Sequence, residues 1–265
     1  MTDGQYRHDP LTPEEREEFE EDLVSLCDRE LDLLGDIRDL DVLYAGGSSL
    51  LWIEGLSQRA GEGGTVTALD LDRQRVQETR ENLERADLRA PVRLVAGSVF
   101  EPPFGPATFD LLYSAGLFHE LDVAGGSAEE ALRALSSVVR PGGRVATGDF
   151  VDTVMALQLE DEGLDAELAY AHSGAELFGI GPPERLVALH EKVLSDVRWH
   201  ICAPRGIRHM ERVVLTEGDP ASLNAPAPGI AAQIRSRKNA LRERISRDGY
   251  TRPATLYVEG CVPGG

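Results

Sequence analysis

The sequence predicts an α/β fold: a doubly wound, mainly parallel sheet with helices on both faces. Three observations lead to it. Strand-like apolar runs alternate with helical patterns from residue 41 to residue 150, the rhythm of repeated βαβ units. The first run, Val42 to Ala45, enters Gly46-Gly47-Ser48-Ser49 and then a helical pattern from Leu50. A strand, a glycine turn and a helix N-terminus together suit a nucleoside or an anion, because glycine lets the backbone come close and the first helical N–H groups are free to donate. The next run, Thr65 to Leu69, ends at Asp70, an acid about 20 residues past the glycines, the spacing at which a carboxylate meets ribose hydroxyls in such sheets. An ordinary βα turn would use the same glycine pair; the acid favours a nucleoside site.

Before the first strand, Thr12-Pro13-Glu14-Glu15 is a helix start, with Thr12 as cap, Pro13 in the first turn and Glu15 completing a capping box. Phe19, Leu23, Leu26 and Leu33 recur at helical spacing until Gly35, which predicts a helix beside the sheet with a solvated acidic face. Leu50, Leu51, Ile53 and Leu56 mark the first core helix, ending near Gly61, and Asp72 caps a second through about Ala86. A third strand runs from Val92 to Ala96 and a fourth from Phe109 to Ser114. Ser127 and Glu130 form a capping box for a helix through Val139, and Pro141-Gly142-Gly143 turns it into a fifth strand, Arg144 to Gly148. Ligands of such sheets bind beyond the carboxyl ends of the strands, so Gly46, Asp70, Gly97-Ser98, Ser114 and Asp149 are expected to border one crevice.

After the fifth strand the pattern predicts helices over Thr153 to Glu162, Ala166 to Phe178 and Pro183 to Leu194. Val197 to Cys202 and Glu211 to Thr216 read as strands, and Thr255 to Glu259 as a closing edge strand. Ile230 to Ile245 is a basic amphipathic helix (Arg235, Arg237, Lys238, Arg242, Arg244), expected to pair with the chain's own carboxylates.

Composition narrows the function. The 265 residues can bury a full core, and the formal charge of -19 repels phosphate backbones, so no nucleic-acid partner is expected. There is no apolar run of the roughly 18 residues a membrane span needs, and Met1 to Pro10 is polar, so no membrane partner is expected either. Cys27, Cys202 and Cys261 are scattered and give neither metal spacing nor a disulfide framework; a cytoplasmic location and no metal follow as expectations. The acidic, lysine-poor surface (Lys192 and Lys238 are the only lysines) fits a salty cytoplasm or a GC-rich genome equally.

With its strand ends placed, the chain resembles the class I S-adenosylmethionine-dependent methyltransferases of the small-molecule type, over about Asp41 to Phe150. LYAGGSS stands at the glycine-rich loop, ALD ending at Asp70 at the ribose acid, VAGSVFEPPF (Val95 to Phe104) at the adenine loop, FDLLYSAGLFHEL (Phe109 to Leu121) at the fourth-strand motif, and LSSVVRPGGRV (Leu135 to Val145) at the helix–turn–strand that follows. The chain departs from that pattern where Tyr44 and Ala45 replace an acid before the glycines, where Ser48 and Leu50 replace glycines, and where Ser98 replaces the adenine-loop acid.

The resemblance implies a Rossmann-like methyltransferase fold over residues 1–265: an N-terminal helical segment (1–40), a cofactor-binding core (41–150), a helical lid (151–195) and closing strands and helix (196–265). It implies S-adenosylmethionine as cofactor, S-adenosylhomocysteine as product, a small-molecule substrate, and a homodimer as an allowed assembly. The cofactor-binding residues it implies are Ala45, Gly46, Gly47, Ser48, Asp70, Leu71, Gly97, Ser98, Val99 and Ser114. The catalytic candidates are Glu120 and His119, with Glu120 expected to face the substrate and His119 to bond locally. His172 and His190, with Tyr170 and Glu176, fall in the lid, where each histidine reads first as structural. The alternatives are the same pocket used for other chemistry, such as a cyclisation, or a non-catalytic nucleoside-binding or partner protein.

Overall fold

The computed structural model describes residues 11–121, 126–153, 156–216, 228–251 and 254–264. In chain order its elements are α1 (Pro13–Asp32), β1 (Asp41–Ala45), α2 (Leu50–Ala60), β2 (Thr65–Asp70), α3 (Arg73–Leu83), β3 (Val92–Ala96), β4 (Phe109–Ala115), a 3₁₀ turn (Phe118–Glu120), α4 (Ala128–Ser137), β5 (Val139–Phe150), α5 (Ala156–Ser173), α6 (Pro183–Glu191), β6 (Ser195–Cys202), α7 (Met210–Thr216), α8 (Pro228–Asp248) and β7 (Thr255–Cys261). One seven-stranded sheet runs in the order β3-β2-β1-β4-β5-β7-β6. Strands β1 to β5 are parallel, while β7 is antiparallel to both β5 and β6. Chain order reverses between β1 and β4, which places the ligand crevice of a doubly wound sheet beyond the ends of those two strands.

Alternation along the strands builds two cores. Leu43, Ala45, Leu112 and Val145 face one side with α4 and α6 residues such as Leu132, Leu135 and Leu189. Val42, Tyr44, Leu111, Tyr113 and Ala146 face the other, against Leu31 of α1 and Ile53 and Leu56 of α2. Strands buried on both faces carry near-continuous apolar runs, which is why the parallel part of the sheet was readable from sequence. The capping boxes at Thr12/Glu15 and Ser127/Glu130 both form.

Four expectations need correction. Glu211 to Thr216 is not a strand but part of α7. Its Met210 and Val213 pack with Phe19 and Leu26 of α1, while Val214 and Leu215 pack against a cluster of α5 and α8 residues; two apolar neighbours on two sides demand a helix despite β-branched residues. β7 is not an edge strand: it lies between β5 and β6, and β6 is the edge. The helices expected at Thr153 to Glu162 and Ala166 to Phe178 are one helix, α5, described from Ala156 and running through Gly163 to Ser173, after which Gly174 takes φ 73°. The acidic face of α1 is more than a solvated surface. Arg208 meets Asp22 at 3.0 Å and Glu21 at 3.1 Å, His209 meets Glu18 at 2.8 Å, and Arg212 pairs with Glu15.

The basic helix does pair internally. From α8, Arg237 binds Glu167, Lys238 binds Asp165 at 2.5 Å, and Arg244 binds Glu160, all on α5. His190 is structural. Fully buried, it meets the Leu186 carbonyl at 2.7 Å through Nδ1 and the Thr147 hydroxyl at 2.9 Å through Nε2. A carbonyl only accepts, so Nδ1 carries the proton, and in the neutral ring Nε2 accepts from Thr147.

Burial pushes the His190 pKa down to about 4. A histidine whose folded pKa is lowered contributes stability that is present above its unfolded value, about 6.5, and is lost as pH falls toward 4. Full development of that shift is worth on the order of 3 kcal/mol. Denaturant midpoints measured from pH 7 to pH 4 are therefore expected to fall steeply, and His190→Gln to flatten that slope by about one proton.

Candidate active site

The carboxyl ends of β4 and β5 meet around one buried carboxylate. Val145, Thr147 and Asp149 alternate onto the same face of β5, so Asp149, 1% exposed, lies under the turn that follows β4. It accepts from the amides of Phe118, His119 (3.3 Å) and Phe150 (2.8 Å), and from the His119 ring at 2.7 Å. Because the backbone donors fix Asp149 as acceptor, Nδ1–H of His119 donates and Nε2 of the neutral ring keeps its lone pair. Burial of His119 favours the neutral ring, but the Asp149 bond and charge outweigh it and hold the pKa above the usual histidine value. His119 Nε2 lies 3.8 Å from the Glu120 carboxylate.

A cavity of about 890 Å³ opens beside this pair. Its walls are Ala115 and Gly116 at the end of β4, His119, Glu120, Phe150, Trp52 of α2, Leu159, Glu162, Gly163, Asp165 and Ala166 of α5, and Leu177, Gly179 and Ile180. Residues 178–181 are strapped to the turn: Gly179 N–H donates to the His119 carbonyl, Phe178 N–H to the Leu121 carbonyl, and Asp152 N–H to the Gly181 carbonyl. Arg185 fixes the strap, donating to the Phe178 carbonyl at 2.7 Å with its guanidinium 3.6 Å over the Phe178 ring.

The expectation for the two catalytic candidates changes. Glu120, its side chain 73% exposed, sits at the cavity rim, whereas His119 does not point elsewhere: it lines the same cavity with its side chain 9% exposed. Asp149 was expected at the border of the crevice, but its pairing with His119 was not read from sequence; Glu162 and Trp52 line the cavity and were not singled out. A parallel β4–β5 register, Ala115 opposite Gly148, would have brought Asp149 to the turn. His172 and Tyr170 are exposed and do not line the cavity, and Glu176 is exposed too.

The proposed cofactor residues border the adjoining end of the sheet. Asp70 is buried; one carboxylate oxygen accepts from Ser48 Oγ at 2.7 Å and the other from Asp72 N–H at 2.8 Å. Each oxygen retains a lone pair for a further donor, such as a ribose hydroxyl. Leu71 beside it is 76% exposed, an apolar platform without protein cover. Gly46, at φ 83°, has the Leu117 side chain where its Cβ would go, and Gly47 has the Tyr44 hydroxyl. The two glycines thus admit the chain's own side chains, and Ala45 is buried beneath them. Gly97 and Ser98 form the turn after β3, Ser98 Oγ accepting from Phe100 N–H at 3.2 Å, and Val99 packs into the core. Ser114 is fully buried, its hydroxyl without a hydrogen-bond partner among the described residues. The acceptor at Asp70, the platform at Leu71 and the hydroxyl of Ser98 fit a nucleoside. Among the described residues no group of three acidic, histidine or cysteine side chains could hold a metal, and no helix is long and apolar enough to cross a membrane.

A parallel core in this strand order, with a site beyond the β1/β4 reversal, is the fold of class I methyltransferases. Residues 40–147 match the family described as a methyltransferase domain. The chain is 33% identical over 128 residues to the ubiquinone/menaquinone biosynthesis C-methyltransferase UbiE of Idiomarina loihiensis. That match covers 48% of this chain and 49% of the relative, so the chain spans about half the length of the curated relative it matches. Among solved structures, the cyclopropane-fatty-acyl-phospholipid synthase-like protein of Lactobacillus casei aligns over 92% of both chains with TM-score 0.66 and 15% identity. The phosphoethanolamine N-methyltransferase 2 of Haemonchus contortus, solved with phosphomonomethylethanolamine and S-adenosylhomocysteine, aligns over 91% of this chain and 53% of that one, with TM-score 0.56 and 13% identity. At these identities the likeness is one of fold.

Two variants test the geometry. Asp149→Asn places a donor amide against backbone N–H groups and is expected to cost about 2–3 kcal/mol of stability, and to return the His119 pKa toward the usual range in an NMR titration. A Cβ at Gly163 meets nothing within 4 Å, so Gly163→Ala is expected to stabilise α5 by about 0.5–1 kcal/mol, read from thermal unfolding, while Gly163→Leu fills the cavity and blocks acceptor binding.

Proposed function

We propose that the protein transfers a methyl group from S-adenosylmethionine to a small-molecule acceptor held in the cavity. The observation that carries this reading is the juxtaposition of that cavity with the His119 Nε2 lone pair at the carboxyl end of a methyltransferase-type sheet. Asp70 would accept from the ribose hydroxyls, Leu71 and Val99 would flank the adenine, and Ser98 would meet its polar edge. Ala45, Gly46, Gly47 and Ser48 would form the turn beneath the methionine portion, with Ser114 at its far side. When bound, the sulfonium supplies an already activated methyl group, so alignment and proton removal are what remain for the protein.

His119 takes the acceptor's proton at Nε2. Asp149 keeps the ring in the correct tautomer and stabilises it once charged. Glu120 orients the acceptor at the rim. Helix α5 and residues 174–180 act as a lid that excludes water, and the domain division expected from the sequence is retained as part of this reading.

The deciding experiment is calorimetry with S-adenosylmethionine and S-adenosylhomocysteine, followed by an acceptor screen with labelled methyl donor. Binding and turnover support the proposal; absence of both overturns it. Asp70→Ala is expected to weaken donor binding by about 1.5–3 kcal/mol. His119→Asn is expected to lower turnover by about 100-fold or more with donor affinity unchanged. Because the base must be neutral and its pKa is raised, wild-type turnover is expected to climb with pH around a midpoint above about 6.5, and Asp149→Asn to move that midpoint down.

A further inference from the structure

The cavity walls carry almost one sign of charge. Glu120, Glu162 and Asp165 line the cavity, and among the described residues His119 is the only basic side chain that lines it. Asp165 is already matched by Lys238 at 2.5 Å. Glu162 is different: half-buried, it enters no hydrogen bond or ion pair among the described residues. Burial raises its pKa, and the charge of His119 partly opposes that. A carboxylate partly withdrawn from water gains from a nearby cation, and a positively charged ligand in the cavity would supply one beyond the His119 ring.

Two further observations point to where that ligand sits. The His119 side chain is nine-tenths buried, and its Nε2 faces the cavity with no hydrogen-bond partner among the described residues. On the wall beside Glu162, Gly163 has open space where a side chain would stand. The remaining walls are apolar and aromatic and include Trp52 and Phe150, ring types that attract cations.

Resting on the methyl-transfer reading above, we propose that the acceptor is a cationic amine, its nitrogen held by Glu162 and Glu120 within reach of His119, and that this nitrogen receives the methyl group. The ammonium gives one proton to His119 Nε2. The freed nitrogen lone pair then forms the new N–C bond as the C–S bond breaks, leaving its electron pair on sulfur. The product is again an ammonium, so Glu162 neutralises the charged acceptor both before and after transfer. Carboxylate and phosphate acceptors are disfavoured by the same three acidic side chains.

The test uses the full chain and labelled donor with a panel of primary and secondary amines, from methylamine to tryptamine and spermidine, each beside its alcohol isostere, together with phenols and carbon acids. At least one amine is expected to be methylated on nitrogen with kcat/KM about tenfold or more above its isostere. Glu162→Gln is expected to remove that preference, Glu120→Gln to weaken it, and both to leave the donor Kd unchanged, which also shows that they fold. Turnover of phenols or carbon acids but not amines, or a preference that survives Glu162→Gln, would overturn the inference while leaving methyl transfer standing. Loss of donor binding in the wild-type chain, or no acceptor of any class, would instead remove the methyl-transfer reading itself.

Discussion

The candidate active site depends on one carboxylate. Asp149 receives three backbone N–H groups and one imidazole N–H, and a buried carboxylate with so many donors is among the stronger polar arrangements a protein interior holds. It bends the chain after β4 into the 3₁₀ turn, which presents the His119 carbonyl to the strap at Gly179. The orientation of the His119 ring and the anchor of the strap therefore trace to a single side chain. The same bond that orients His119 raises its affinity for a proton, so orientation and basicity are tuned together.

The second constraint is electrostatic. Helix α5 gives one side to the cavity and the other to α8, whose Arg237, Lys238 and Arg244 bind its acids. Single exposed ion pairs contribute little, but three along one helix pair set its register. Glu162 is left over by this arrangement because it faces the cavity and not α8. In a chain with formal charge -19, an unmatched acid needs no explanation on the surface; inside a half-enclosed site it does.

Much of the parallel core was legible because each signal was local: a double-sided apolar run, a glycine turn, a cap. Asp70 could be placed at the end of β2 from the strand–turn–strand spacing, but its bond to Ser48 could not. Three further features were not legible, for physical reasons. The Val-Val-Leu-Thr run at residues 213–216 favours a strand locally, and only the two separate apolar neighbours of α7 decide for a helix. The place of β7 between β5 and β6 is a matter of pairing and leaves no mark on its own residues. Tyr257 and Glu259 even suggest an exposed edge, yet the Tyr257 hydroxyl donates to Glu259, which also meets Arg198 at 2.8 Å. The His119–Asp149 pair spans 30 residues and arises from the register of β4 against β5, so reading residue neighbours within one motif favoured Glu120.

The position of β7 bears on how the molecule assembles. The strand that occupies residues 255–261 fills the gap between β5 and β6, so β6, made some sixty residues earlier, has no partner in the sheet until it arrives. During synthesis the parallel half can collapse around its own two cores, while β5 exposes an unpaired, largely apolar border. Closing that border requires contacts between segments far apart in sequence, a slow kind of step. The same late strand carries Thr255, whose hydroxyl donates to Glu30 of α1 at 3.2 Å. Sealing the sheet thus also ties the N-terminal helix down, making the last strand a latch on the first helix.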